Sequence, residues 1–273
     1  MSAAALPLLI EPQEFASQRS GMGNLLLVDV SSPDNYRAGH IAGALHLPPS
    51  ALQRGTPPAP GKIPEPAQLQ KLLSYLGLTP DTHVVAYDDE GGGWAGRLLW
   101  TLEAVGHPHY SYLNGGIHAW RGAGLATESA GNDPTSSEYA VTMNPQAIAE
   151  VEDILARLGD ADFAVWDARS AEEYQGLRSG SARAGHIPGA INIDWLELID
   201  RNNHTRLVDL QQLQLRLNEL GLSADKDIVT HCQSHHRSSL TWLAMKILGY
   251  PSVKGYHGSW GEWGNLEDTP VEI

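Results

Sequence analysis

The first half of this 273-residue chain is written again in its second half. Leu27-Val28-Asp29-Val30 returns as Val165-Trp166-Asp167-Ala168 at an offset of 138, each Asp followed seven residues later by a Tyr (Tyr36, Tyr174). Ala38-Gly39-His40-Ile41-Ala42-Gly43-Ala44 returns as Ala184-Gly185-His186-Ile187-Pro188-Gly189-Ala190 at an offset of 146, so the second copy carries an eight-residue insertion that includes Gly176 to Gly180. His83-Val84-Val85-Ala86-Tyr87-Asp88 then aligns with Asp227-Ile228-Val229-Thr230-His231-Cys232, Gly106-His107-Pro108 with Gly249-Tyr250-Pro251, and the stretch from Asn114 to Trp120 with that from His257 to Trp263. Blocks that keep one order at nearly one offset mark a tandem duplication, so any fold assigned to one half must suit the other.

The copies are joined by a stretch of small and polar residues without apolar period, which reads as a surface linker. We expect a first domain over residues 1–127, a linker over 128–139 and a second domain over 140–273, each of ordinary domain size. Within each half, short apolar runs alternate with helical periods. Leu25–Val30, Ala44–Leu47 and His83–Tyr87 read as strands, two of them in the near-continuous apolar style of a buried parallel sheet. Leu69, Leu72, Leu73 and Leu76 keep helical spacing, as do Leu210, Leu213, Leu217 and Leu220, and each run closes on a glycine, Gly77 or Gly221. The expected fold class is α/β: two doubly wound domains, each a parallel sheet flanked by helices. The segment from His46 to Pro66, rich in Pro and Gly, is expected to be a long surface loop covering one edge of the first domain.

Charge narrows the function. The net charge is −14 and the pI about 5.2, which repels nucleic-acid phosphates, so no nucleic-acid partner is expected. No run approaches the ~18–20 apolar residues of a bilayer span, and the start Met-Ser-Ala-Ala-Ala-Leu-Pro-Leu-Leu-Ile has no basic residue ahead of its apolar stretch. No membrane association is expected. The one cysteine, Cys232, has no disulfide partner within the chain, and the reading is a soluble cytoplasmic protein.

In open parallel sheets, ligands bind beyond the carboxyl ends of the strands. The strand-to-helix turn of the second half is His231-Cys232-Gln233-Ser234-His235-His236-Arg237-Ser238. Such a turn points successive backbone N–H groups at one spot, and the helix N-terminus adds about half a positive charge there. That setting lowers a thiol pKa and yields a nucleophilic thiolate, while Arg237 offers a planar donor fork to anionic oxygens. The acidic chain makes a local exception here, since Ile228 to Gly261 holds no Asp or Glu. His231, His235 and His236 match no zinc spacing. His235 and His236 are read as shaping the loop, and no metal or organic cofactor is indicated. In the first half, Asp88 stands where the second has cysteine, before Gly91-Gly92-Gly93. A carboxylate can itself fill an anion-binding turn, so this copy is read as catalytically silent.

These residues resemble the tandem-domain rhodanese family of sulfurtransferases. The resemblance runs over almost the whole chain and rests on Gly185–Ala190, on the strand–Cys–loop–helix at 228–248, and on Tyr256-His-Gly-Ser-Trp-Gly-Glu-Trp263. It implies a ping-pong mechanism: Cys232 takes the outer sulfur of a small anionic donor as a persulfide and passes it to cyanide or a thiol, including the thiol of a protein. Arg237, Gln233, Ser234, His235, His236 and Ser238 would then bind the substrate, and Asp167 and Arg169 would support the site or form a plain structural ion pair. The loop is similar to the bacterial type Cys-Gln-Thr-His-His-Arg, whose customary donor is thiosulfate. Where the family carries a substrate-binding Arg, this chain has Glu173, which disfavours a carboxylate-bearing donor such as 3-mercaptopyruvate. Three further readings stand beside thiosulfate sulfur transfer: a 3-mercaptopyruvate sulfurtransferase, a persulfide carrier serving a partner protein, and a rhodanese-fold phosphatase or arsenate reductase. The latter have five residues between Cys and Arg, against four here.

Overall fold

The computed structural model describes residues 6–273. Met1–Ala5, on which the reading of the chain's start partly rests, lie outside the described residues. The chain forms two compact units. The first comprises the residues up to Leu52, Pro64–Asn144 and Asp200–Leu207, and the second Gln53–Ile63, Pro145–Ile199 and Val208–Ile273.

In the first unit the elements run β1 (Leu9–Ile10), α1 (Pro12–Gln18), β2 (Leu25–Asp29), α2 (Pro33–Ala38), β3 (Leu45–His46), α3 (Pro66–Tyr75), β4 (His83–Tyr87), α4 (Gly93–Ala104), β5 (Tyr110–Leu113) and α5 (Gly116–Gly122). The second repeats them as β6 (Ile148–Ala149), α6 (Val151–Leu155), β7 (Phe163–Asp167), α7 (Ala171–Tyr174), β8 (Ile191–Asn192), α8 (Leu210–Glu219), β9 (Asp227–His231), α9 (Arg237–Ile247), β10 (Val253–Tyr256) and α10 (Ser259–Trp263). The sheets have orders β1-β5-β4-β2-β3 and β6-β10-β9-β7-β8, with every pairing parallel. This is the duplicated doubly wound α/β architecture that the repeat demands.

The helices start and stop where local chemistry requires. Helix α3 opens with Pro66 behind a Glu65/Gln68 capping box, and Asp209 caps α8 by accepting the Gln212 N–H at 2.9 Å. Both end on a glycine in the left-handed region, Gly77 at φ +84° and Gly221 at φ +89°. The central strand β4 is buried along its whole length, and α4 and α9 bury most of their surfaces, as elements at the middle of a doubly wound sheet must.

The repeated blocks are a repeated packing device. Tyr36 stacks on His40 at 3.7 Å between ring centroids and donates to the Ala44 carbonyl, while His40 Nδ1 meets the Tyr36 carbonyl. Tyr174 does the same with His186 at 3.6 Å and with the Ala190 carbonyl, and His186 Nδ1 meets the Tyr174 carbonyl.

One expectation is corrected. The segment 46–66 does not simply cover an edge of the first domain, because Gln53–Ile63 packs with the second unit. It is not all surface either: Leu47, Leu52, Ala59 and Ile63 are buried. The loop folds on itself through Arg54 N–H to the Lys62 carbonyl and Gly55 N–H to the Pro60 carbonyl, and its end is fixed by Ile63 N–H donating to His257 Nδ1 at 3.1 Å. Pro- and Gly-rich composition reports the absence of regular structure, not where the backbone docks.

Candidate active site

Strand β9 ends at His231, and the next residue, Cys232, begins the turn into α9. The cysteine is 1% exposed. His235 adopts φ +54°, an uncommon conformation for a side chain with a Cβ, which curls the backbone back on itself; its Nδ1 meets Ser238 Oγ at 2.7 Å. The curl turns the backbone N–H groups of Ser234 and Ser238, together with the Ser238 hydroxyl, onto the sulfur. Burial alone would push the thiol up, but Arg237 and these hydrogen bonds outweigh it and bring its pKa from 9.0 to about 7. The thiolate is thereby accessible at neutral pH, where an ordinary cysteine is mostly protonated.

The turn is clamped from behind by the junction of β10 with the first turn of α10. Trp260 N–H donates to the Cys232 carbonyl at 2.9 Å, Gly261 N–H to the Gln233 carbonyl at 2.9 Å, and the Cys232 N–H to Ser259 Oγ at 3.4 Å. Ser259 itself sits at φ +54°, with its hydroxyl donating to the Tyr256 carbonyl at 2.8 Å. The insertion of the second copy packs here too: Ser181 Oγ donates to the Trp260 carbonyl and accepts from Gln233 Nε2 at 3.2 Å. Gln233 therefore spends its amide group on Ser181. His236 leans on Trp195, 5.6 Å between ring centroids.

Asp167 and Arg169 form a fully buried, bidentate ion pair with contacts of 2.6–3.0 Å, and Arg169 also donates to the Gly185 carbonyl and lies 4.4 Å from the Trp260 ring centroid. Burial would raise the Asp167 carboxyl, but the facing His231 and Arg169 hold it below its ordinary value. His231, 3.5 Å from Asp167, is driven down to about 4 by burial and stays neutral at neutral pH. Arg169 thus reaches the cysteine turn through the Trp260 ring, and Asp167 through His231, the residue before Cys232.

Arg237 is not an open fork. Its Nη1 and Nη2 meet Glu173 Oε2 and Oε1 at 2.6 and 3.0 Å. Glu173 is held in turn by the Ser170 N–H at 3.3 Å and by Arg178 at 3.4 Å. Burial pushes this carboxyl up, and Arg237 brings it down to about 2, so it is ionised at any working pH. The Glu173 that departs from the family pattern does face the cysteine turn, where it neutralises Arg237.

In the first unit the same turn is closed by its own side chain. Asp88 Oδ1 accepts the N–H groups of Glu90, Gly91 and Gly92 at 2.9–3.2 Å, and Oδ2 that of Ala95 at 2.9 Å. Burial, the largest influence, raises this carboxyl to about 6. Ile117 N–H donates to the Asp88 carbonyl at 3.1 Å, the counterpart of Trp260 and Cys232, and Gly116 at φ +52° occupies the place of Ser259.

The residues that sequence reasoning missed are Ser259, Ser181 and the loop residues Gly61 and Lys62. Only Ser259 left a signal, a serine aligned with a glycine whose φ is positive.

The rhodanese-like domain pattern matches the chain twice, over residues 11–123 and 150–266. The chain belongs to the rhodanese-like domain family. This rhodanese is 48% identical over 269 residues to a thiosulfate sulfurtransferase of Pseudomonas aeruginosa, covering 98% of each chain. It is 47% identical over 270 residues to a thiosulfate sulfurtransferase of Azotobacter vinelandii, covering 99% of this chain and 98% of the other. Its fold is shared with the anaerobic ergothioneine biosynthesis enzyme of Chlorobium limicola, with a TM-score of 0.88 at 23% identity over 97% of this chain and 70% of that one.

Proposed function

We propose that this rhodanese transfers the sulfane sulfur of thiosulfate, through a persulfide on Cys232, to cyanide or a thiol. The observation that carries the reading is a buried cysteine of lowered pKa at the mouth of α9, ringed by the Ser234 and Ser238 N–H groups and Arg237. The thiosulfate sulfurtransferases similar to it over their full length support the choice of donor.

In the first half-reaction the Cys232 thiolate attacks the outer sulfur of thiosulfate. A bond forms between Sγ and that sulfur, the sulfur–sulfur bond of the donor breaks, and sulfite leaves with the electron pair. In the second, cyanide or a thiolate attacks the terminal persulfide sulfur, and Cys232 departs as the thiolate it began as. The donors that hold the thiolate suit the persulfide anion equally, since the negative charge moves by one sulfur. Ser234, His235, His236 and Ser238 shape this cradle, and Gln233 braces it through Ser181. Arg237 supplies the positive field, with Glu173 moderating it, and Asp167–Arg169 supports the turn through the Trp260 ring and His231.

Glu173 also argues for the donor: by filling the Arg237 fork it denies the carboxylate of 3-mercaptopyruvate a bidentate partner, whereas thiosulfate needs only to present its outer sulfur to Cys232. The four residues between Cys232 and Arg237 leave a cradle sized for sulfur rather than for a phosphate ester. The first copy, its turn filled by Asp88, is silent in this reading, and the linker at 128–139 separates it in sequence from the active copy. An unpaired cysteine suits a reducing cytoplasm, and no helix among the described residues is long and apolar enough to cross a membrane.

Steady-state thiocyanate formation tests the proposal. Thiosulfate and cyanide should give parallel double-reciprocal lines, and phosphate monoesters should not turn over. Intersecting lines, or turnover of phosphate esters at a comparable rate, would contradict it.

A further inference from the structure

The loop Gln53–Ile63 lies in the second unit and presses on the cysteine turn at one point. A Cβ built on Gly61 would stand 2.2 Å from the Ser234 carbonyl oxygen and 2.6 Å from its Cα, so the Gly61 backbone rests directly on the Ser234 peptide. A Cβ on Gly261 would meet the Gln233 carbonyl at 2.9 Å and the Pro58 carbonyl at 3.3 Å. The Gln233–Ser234 stretch is thus held between this loop and the start of α10, and the Ser234 backbone N–H points at the Cys232 sulfur.

The loop is anchored by charge beside that contact. Lys62 Nζ bridges Glu262 Oε1 at 2.7 Å and Glu150 Oε2 at 3.2 Å, with the lysine side chain 22% exposed and that of Glu262 13%. His257 ties the same cluster together, meeting Glu150 Oε1 at 3.1 Å through Nε2 and accepting the Ile63 N–H through Nδ1. Tyr256 donates to Glu262 Oε2 at 3.0 Å. Tyr256, His257 and Glu262 belong to the segment that clamps Cys232 from behind. The anchor and the clamp are one construction.

We infer that the loop Gln53–Ile63 is a positioning element of the cysteine turn, in which Gly61 seats the Ser234 peptide and Lys62 locks the loop to Glu150 and Glu262. A methyl group at residue 61 has nowhere to go without moving Ser234, and the φ of Gly61 lies outside the left-handed region, so the clash is the main cost of an alanine there. Moving Ser234 takes its N–H off the sulfur. The thiolate is then stabilised less, while the other groups that face it stay in place: Arg237 paired to Glu173, the Ser238 hydroxyl and N–H, neutral His231, His235 and His236 on the turn, and the Asp167–Arg169 pair behind it.

The inference rests on the reading of Cys232 as the reactive thiol, and its test does not require sulfur transfer. As Cys232 is the only cysteine, the rate of iodoacetamide alkylation against pH reports its thiolate alone. The intact chain should give a midpoint near pH 7. In Gly61→Ala and in Lys62→Met the midpoint should rise by roughly one unit, the effect of losing one hydrogen bond to a thiolate. Lys62→Arg should return it towards the parent value. Gly23→Ala, whose added methyl meets nothing within 4 Å, should leave it unchanged. Should Gly61→Ala fail to fold, the Lys62 pair decides. Variants that are folded by thermal melting yet alkylate with the parent midpoint would overturn the inference and leave the loop a merely structural strap. A parent midpoint near 7 without sulfur loading from thiosulfate would instead overturn the proposed function.

Discussion

Glu173 closes both prongs of the Arg237 guanidinium, at 2.6 and 3.0 Å, so the cation beside the Cys232 thiol is already paired before any donor arrives. Such a pair limits how tightly Arg237 attracts an anion, and because burial keeps water from screening it, the carboxylate counts at close range. Glu173→Gln keeps the shape and removes the charge. We expect the KM for thiosulfate to fall about three- to tenfold and 3-mercaptopyruvate to become a better donor relative to thiosulfate. Donor kinetics of this one variant check both.

Arg237→Ala removes the fixed cation. The thiosulfate KM should rise by about tenfold or more, and the alkylation midpoint of Cys232 should climb from about 7 towards the ordinary 9.0. The variant also strands a largely buried Glu173, so thermal melting should fall by an amount corresponding to about 2 kcal/mol. An unchanged donor dependence would remove Arg237 from its assigned role.

The pH dependence follows from signs. Cys232 titrates near 7 when folded against 9.0 ordinarily, so the rate of sulfur loading should rise through pH 7 and level off above it. Between pH 7 and 9 the unfolded chain binds the proton that the native one has lost, so this group stabilises the fold increasingly as pH rises. His231 and His83, both lowered to about 4 by burial, act on the acid side. Below pH 6.5 the unfolded chain protonates them first, and stability falls towards pH 4. His107, also lowered by burial, acts with them; Asp88, raised to about 6, and Asp29, raised by burial, oppose them, while Glu150 and Glu173, lowered to about 2, add to the loss below pH 4.5. Melting temperature measured from pH 8 down to pH 4 should decline, most steeply below pH 6.5.

The Asp88 turn is read as a stability element. Asp88→Ala leaves four backbone N–H groups without their acceptor, and we expect a loss of about 3 kcal/mol by denaturant unfolding. On the proposed reading, in which the first copy is silent, sulfur loading at Cys232 should persist in the folded fraction.

Much of this was legible in the sequence because it is local. The duplication and the helices ended by Gly77 and Gly221 follow from period and punctuation, and the cysteine and aspartate turns follow from strand-to-helix spacing. The stacked Tyr174–His186 pair explains why that repeated block could be read at all, since it is a packing unit used twice. The illegible parts are long-range. Nothing in the spacing of Glu173 and Arg237 says that they meet across 64 positions. Likewise, the 46–66 segment carries no apolar period, so its docking through Lys62 and Gly61 is set by charge partners and a missing Cβ that only the folded chain brings together. Glu173 stands out in the sequence as a departure from a pattern, but its consequence depends on geometry.

Intact mass spectrometry of the purified chain is the most direct test of sulfur transfer through Cys232. After thiosulfate, the mass should rise by one sulfur atom, and it should return to the starting value on adding cyanide as thiocyanate appears. Cys232→Ser should show neither change. Sulfur loading that survives in Cys232→Ser, or a parent chain that gains no sulfur from thiosulfate, would contradict the account.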